Sequence, residues 1–311
     1  MSNNTHLNLL QLGSFFFGTF WVSIALILYC IQSHGVPSAG PWLVKTLKVC
    51  FWLYAGCALL VVVFQYHVIF DEEHLPVTEC MPAWILSAYP FLALGPLATV
   101  LEYSQPQTSA IPIMVGGIVF QGLEWMTAFI MYTIYFTRLI NSDLSESKRP
   151  GMYVAVGPAA YTSNTLVALG VHAPKVLPAT FLGITSVPTG DLWKAFAVPA
   201  GMFLWLLGFW FFALATMSVP WWYKKLHFML NNWAFIFPNV GLTVALIQIG
   251  KVLDSDGIKG VCSAMTVALV IACIVVAVMN VGAVWRGDVL WPGMDEDVED
   301  MEGHGQKMRP D

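Results

Sequence analysis

The 311-residue chain is short of charge. Asp, Glu, Lys and Arg make up 11% of it, less than half the roughly 25% of a soluble domain. Hydrophobic residues make up 57%, and the mean hydropathy is +0.68. So few charges cannot cover a globular surface, which excludes a soluble fold. No clustered basic face exists either, and without one nucleic acid is excluded as a partner. Residues 1–11 contain no Lys or Arg and so lack the basic start of a signal peptide. None of the six cysteines forms a C-x-x-C pair, and all but Cys80 lie within apolar runs. They read as small buried hydrophobes rather than as a disulfide framework or zinc site. H-E-x-x-H, G-x-S-x-G, Walker and G-x-G-x-x-G patterns are all missing. No two of the seven histidines fall at metal-ligand spacing inside an apolar run, and His172 and His227, at run ends, read as interfacial residues. No enzyme, metal site or cofactor is expected.

Long apolar runs are what the chain does have. They cover about 12–32, 43–70, 81–101, 111–136, 152–172, 192–217, 227–250 and 260–285, each near the roughly 20 residues that cross a bilayer as a helix. The expected fold class is an all-α polytopic membrane protein of about eight transmembrane helices, arranged in hairpins. The expected domains are a short N-terminal segment (1–11), a transmembrane transporter domain (12–292) and an acidic C-terminal tail (293–311). Seven acids and two bases follow Pro292 and account for the whole formal net charge of −5. Such a tail reads as disordered and solvated. An even span count puts both termini on one side. Eight of the 14 Lys and Arg fall in loops of that side, an excess that favours cytoplasmic termini.

Proline inside the runs is the informative feature. Pro90 and Pro96 lie in the third, Pro158 in the fifth and Pro238 in the seventh. Each removes a backbone donor, bends its helix and frees nearby carbonyls. In hydrocarbon, such groups must face protein or a watery cavity. Bent helices alternating with straighter ones suggest inner, pore-lining helices backed by outer ones, although Pro199 in the sixth run breaks the alternation. Polar residues gather in the same runs: Thr162 and Asn164 just after Pro158, Asn231 and Asn232 before Pro238. They serve either as interhelical glue or as neutral donors to a passing anion. Glu124, with Gln121 three residues before it, lies deep in the fourth run. An intramembrane carboxylate reads as a proton carrier or ion-pair partner, or else as a hydrogen-bonded link between two helices. Arg149 just precedes the fifth helix, where a cation beside a helix N-terminus attracts anions. With Lys148 it reads equally as an ordinary topology signal.

The stretches MPAWILSAYPFLALGPLA (Met81–Ala98), RPGMYVAVGPAAYTSN (Arg149–Asn164) and WWYKKLHFMLNNWAFIFPNVGLT (Trp221–Thr243) resemble the tellurite-resistance/dicarboxylate transporter family. Within it the likeness is greatest to fungal malic acid transport proteins. SFFFGTFWVSIALILYCIQSHGVP (Ser14–Pro37) and GPWLVKTLKVCFWLYAG (Gly40–Gly56) fit the same pattern, so the resemblance runs in order to about Pro292. It implies a fold of ten helices as five hairpins around a central pore, shared with plant slow-type anion channels. It further implies homotrimers with one pore per subunit, and a phenylalanine plug on the family's ninth helix, for which Phe228 is the nearest candidate. The first run resembles the family's third helix, so the first hairpin is expected to be missing. The implied function is transport of C4-dicarboxylate anions, chiefly malate, across the plasma membrane, with proton linkage at Glu124. Efflux of another small anion such as sulfite, or a transport-incompetent subunit, are the alternatives.

Overall fold

A computed structural model describes residues 17–73, 77, 80–141, 146–219, 228 and 230–287. The expected N-terminal segment and acidic tail, together with His227, lie outside the described residues. Eight helices are long and apolar enough to cross a membrane: α1 (Phe17–Gly35), α2 (Pro41–Asp71), α3 (Pro82–Ser104), α4 (Gln107–Asn141), α5 (Arg149–Val176), α6 (Thr189–Ser218), α7 (Leu230–Leu253) and α8 (Asp256–Arg286). Among the described residues there is no strand. Every helix extends to or beyond the apolar run that marked it at one end or both. The polar residues at the ends stay helical because their side chains reach headgroups or caps, as Ser255 does in accepting from the Ile258 amide at the start of α8.

Burial separates the helices into two shells. In α3 and α5, 89% of the apolar window is buried, and in α7 half of it is. In α2, α4 and α6 the share is 33%, in α1 22% and in α8 only 11%, so α1 counts with the inner helices by its contact with α3 and not by its burial. α8 is a Val- and Ala-rich rod whose outer side chains, such as Val267, Val278 and Val281, are exposed, as lipid-facing residues are. Its inner edge packs on α7. The inner helices touch in chain order, α3 against α5 and α5 against α7, while Gly18 of α1 sits directly against the Leu86 backbone of α3. They form an arc with α2, α4 and α6 behind it. The membrane-spanning bundle expected from the runs is the fold observed.

Proline acts at the openings of the inner helices. α3 begins as a 3-10 helix over Pro82–Ala88, α5 over Glu146–Ala155 and α7 over Leu230–Phe235. Regular α-helix then starts at Tyr89, Val156 and Phe237, and Pro90, Pro158 and Pro238 stand in its first turn. Pro96 is the third residue of the next segment of α3, Leu94–Leu101. A first-turn proline gives up an N–H that had no intrahelical acceptor, so these are junctions between two helix types rather than mid-helix kinks. Pro112 and Pro199, in the outer α4 and α6, sit within unbroken α-helix. Pro199 therefore does not disturb the alternation of shells.

The carbonyls at these junctions do not stay free. Tyr54 donates to the Pro90 carbonyl (3.1 Å), Tyr89 to Val154 (2.9 Å), Tyr132 to Ala155 (2.7 Å) and Tyr161 to Phe237 (3.0 Å). Each phenol comes from a different helix than its acceptor, so it ties two helices while satisfying a group that hydrocarbon would leave costly. These four carbonyls face protein, as groups freed in hydrocarbon must, and a carbonyl oxygen has no proton to offer an anion.

Candidate functional site

The four odd-numbered helices converge on a cavity of about 20 Å³, room for about one water molecule. α1 supplies Val22, Ala25, Leu26 and Tyr29; α3 supplies Leu92, Ala93, Pro96 and Leu97; α5 gives Tyr161 and α7 gives Phe237. The lining is apolar. The Phe237 ring stacks on Tyr161 with centroids 4.9 Å apart and planes at 25°, and stands 5.9 Å from the Tyr89 ring. Gly241, one turn along α7, gives the Tyr161 ring its place, since a methyl group there would press into it. Three aromatic rings on three inner helices thus close the centre of the arc.

Phe228 is elsewhere. It packs in a small cluster with Ile236, Val276 and Ala283, against α8, and is not among the residues lining the central cavity. The aromatic side chain of this region that reaches the centre is Phe237.

Thr162 and Glu124 come together, away from the central cavity. Gln121 of α4 donates through Nε2 to Thr162 Oγ1 at 2.9 Å and to Glu124 Oε2 at 3.3 Å, and Thr165 Oγ1 donates to Gln121 Oε1 at 3.5 Å. Glu124 is fully buried, with Oε1 lacking a hydrogen-bond partner among the described residues. The carboxylate lies within electrostatic reach of the Tyr66, Tyr89 and Tyr132 phenols. Gln121, Thr162 and Thr165 form the polar floor of a second cavity of about 300 Å³ between α4, α5 and α6, walled by Ile118, Trp125, Phe196 and Phe203. This threonine therefore joins two helices and does not line the central cavity.

Asn164 is buried on α5, three residues beyond Tyr161, and its Oδ1 has no hydrogen-bond partner among the described residues. Residues three apart share a helix face, so it lies near the cavity side of α5. At the other end of the arc, the 3-10 openings of α5 and α7 pack together and bring Asn231 against Gly151. Asn232 is buried beside it. Arg149 donates through a guanidinium nitrogen to the Ser218 carbonyl at 2.9 Å. A cation at the C-terminus of α6 satisfies one of its unpaired carbonyls and complements its dipole, a structural duty that sequence reading did not assign.

Buried Arg138 and Glu102 escaped the sequence reading, which took His172 only as an interfacial residue. Arg138, near the end of α4, donates to the Cys80 carbonyl at 2.7 Å and fastens the chain entering α3. Glu102 and His172 form a pair at 3.0 Å where α3 and α5 end. Neither had a sequence signal, because each depends on a partner more than 50 residues away.

Comparison with known proteins gives the geometry its setting. The voltage-dependent anion channel family model matches residues 4–281. The malic acid transport protein of Schizosaccharomyces pombe is 28% identical over 291 residues, which cover 92% of this chain and 66% of the relative. A sulfite efflux pump of Arthroderma benhamiae is 27% identical over 247 residues, or 78% of this chain and 64% of that protein; one from Trichophyton rubrum is 26% identical over the same length. The chain thus spans a little under two thirds of the length of these curated relatives. No solved structure gave a significant match. The long family match, the shells of inner and outer helices and the motifs from Met81 to Thr243 agree: the chain belongs to the voltage-dependent anion channel family of the slow type, also called the tellurite-resistance/dicarboxylate transporter family.

Proposed function

We propose that this protein transports C4-dicarboxylate anions, chiefly malate, along the axis between α1, α3, α5 and α7. The observation that carries the reading is the narrow cavity between the inner helices, where Phe237 stacks on Tyr161. A space of about 20 Å³ holds no dicarboxylate, so the structure reads as a shut state and Phe237, rather than Phe228, as the constriction. Malate comes from the similarity to malic acid transport proteins. On this reading Asn164 donates through its amide to the anion in transit, Asn231 and Asn232 stand at the end where α5 and α7 open, and Arg149 adds positive potential there. Glu124 is the proton carrier beside the path, held by Gln121. The working protein is a homotrimer in the plasma membrane with cytoplasmic termini.

Desolvation sets the expected pH dependence. Taking charge out of water is costly and grows with the charge carried, so a monoanion crosses an apolar constriction more readily than a dianion. Uptake of labelled malate into vesicles containing the purified protein rises several-fold between neutral pH and about pH 5, and unlabelled succinate competes with it. Flat uptake over that range contradicts the reading. A second reading, sulfite efflux, rests on the similarity to the fungal sulfite pumps; competition by sulfite without competition by succinate favours it.

A further inference from the structure

The end of the bundle at which α1, α3 and α5 finish holds a pair of a buried acid and a half-buried imidazole. His172 Nδ1 lies 3.0 Å from Glu102 Oε1. Glu102 is 2% exposed, and its Oε2 has no hydrogen-bond partner among the described residues. The Tyr103 ring covers the imidazole, with centroids 4.0 Å apart. Beside the pair, Gln32 of α1 donates to Ser104 Oγ of α3 at 3.0 Å, so three inner helices meet there. Leu97, which lines the central cavity, precedes Glu102 by five residues, roughly 7 Å of helix rise. The pair therefore flanks the end of the proposed path.

A contact of 3.0 Å between an imidazole nitrogen and a carboxylate oxygen requires a proton on one of them. With neutral imidazole donating to the carboxylate, the pair carries one negative charge. One further proton makes it neutral, whether it resides as an imidazolium–carboxylate ion pair or as a carboxylic acid donating to neutral imidazole. The other charged groups of this end belong to Lys45 and Lys48 on α2, Lys175 on α5, Asp191 and Lys194 on α6, Lys251 on α7, and Asp254, Asp256 and Lys259 at the turn into α8, where the lysine pairs with both acids. Lys48 donates to Ser109 of α4 at 3.4 Å, and α4 has no titratable residue before Glu124. Tyr103 is neutral at the pH of the test below, and His34 ends α1 exposed. Glu102, buried, and His172, half-buried, form the hydrogen-bonded acid–imidazole pair of this end.

We propose that Glu102 and His172 form a proton-binding site that sets the charge at this end of the anion path. Loaded with a proton, the pair is neutral and an anion passes; unloaded, its negative charge repels the anion. The inference rests on the transport reading and adds to it a proton site distinct from Glu124. Its test uses the full chain in lipid vesicles, with the same pH on both faces, between about pH 5 and 8. Glu102→Gln is expected to lose the protein's share of the pH dependence, so that the several-fold rise of wild type between pH 8 and pH 5 shrinks to the part that protonation of malate itself gives. His172→Asn, which still offers the carboxylate a donor but does not titrate, shifts the midpoint of the profile. Wild-type profiles in both well-expressed variants overturn the site.

If wild type moves no malate, the transport reading fails and the melting temperature decides the proton site instead. A gap between wild type and Glu102→Gln that changes with pH supports proton binding at the pair. A gap that stays constant overturns it.

Discussion

Replacing Phe237 with alanine is expected to raise malate flux roughly tenfold at equal protein density in the vesicles, which corresponds to about 1.4 kcal/mol off the barrier. The ring stands between Tyr161 and Tyr89, and the space it closes holds little more than a water molecule. Removing it widens the narrowest point of the path and leaves the bond from Tyr161 to the residue 237 carbonyl in place, because that acceptor is backbone. Phe237 is half-buried, so the stability lost lies at or below the roughly 3 kcal/mol lower bound for removing a core phenylalanine. Phe228→Ala is the paired control. It empties part of the cluster against α8 and lowers the melting temperature, while flux per folded molecule stays at the wild-type level. A rise in Phe228→Ala without one in Phe237→Ala contradicts the placement of the constriction.

The largest stability effect is expected at Gly95. It lies where α3 crosses α4 and α5, and a methyl group there would collide with the Gln121 side-chain carbonyl and the Thr165 side chain. Those atoms belong to the hydrogen-bonded group that holds Glu124. Gly95→Val therefore overpacks a closed junction and pulls apart a buried polar network, each change costing about 1–3 kcal/mol. Together they are expected to abolish the folded protein, or to lower its melting temperature steeply, as read by detergent-solubilised thermal aggregation. Gly282→Ala in α8, where an added methyl meets nothing within 4 Å, is expected to leave the protein as stable or slightly more so, because alanine is the better helix former. Equal behaviour of the two variants contradicts the packing described for α3.

These results separate what can be read along a chain from what requires its folding. Apolar runs marked all eight helices, since hydrocarbon thickness sets the length of each span. The inner shell was legible in Pro90, Pro158 and Pro238, because a proline's lost donor must be accommodated inside the protein. The form of that accommodation was not legible. The prolines open α-helix after 3-10 stretches, and tyrosines from neighbouring helices take the carbonyls. Nor was it legible that Phe237 lines the central cavity while Phe228 packs against α8. Glu124 and Gln121 were visible as a polar pair on one helix face, whereas Thr162 as their partner was not. Glu102, just past its apolar run, carried no signal until α5 brought His172 against it.

The central claim is that the anion passes between α1, α3, α5 and α7. The most direct measurement places single cysteines in a chain whose six native cysteines are replaced, and treats each with a charged, membrane-impermeant thiol reagent during malate flux, in the Phe237→Ala background. Ala25→Cys on α1 and Ala93→Cys on α3 line the central cavity, and Ala200→Cys lines the cavity between α4, α5 and α6. The account predicts that the reagent stops flux through the first two, that malate slows their modification, and that flux through the third is unaffected. Block at residue 200, with residues 25 and 93 unreactive during transport, would contradict it.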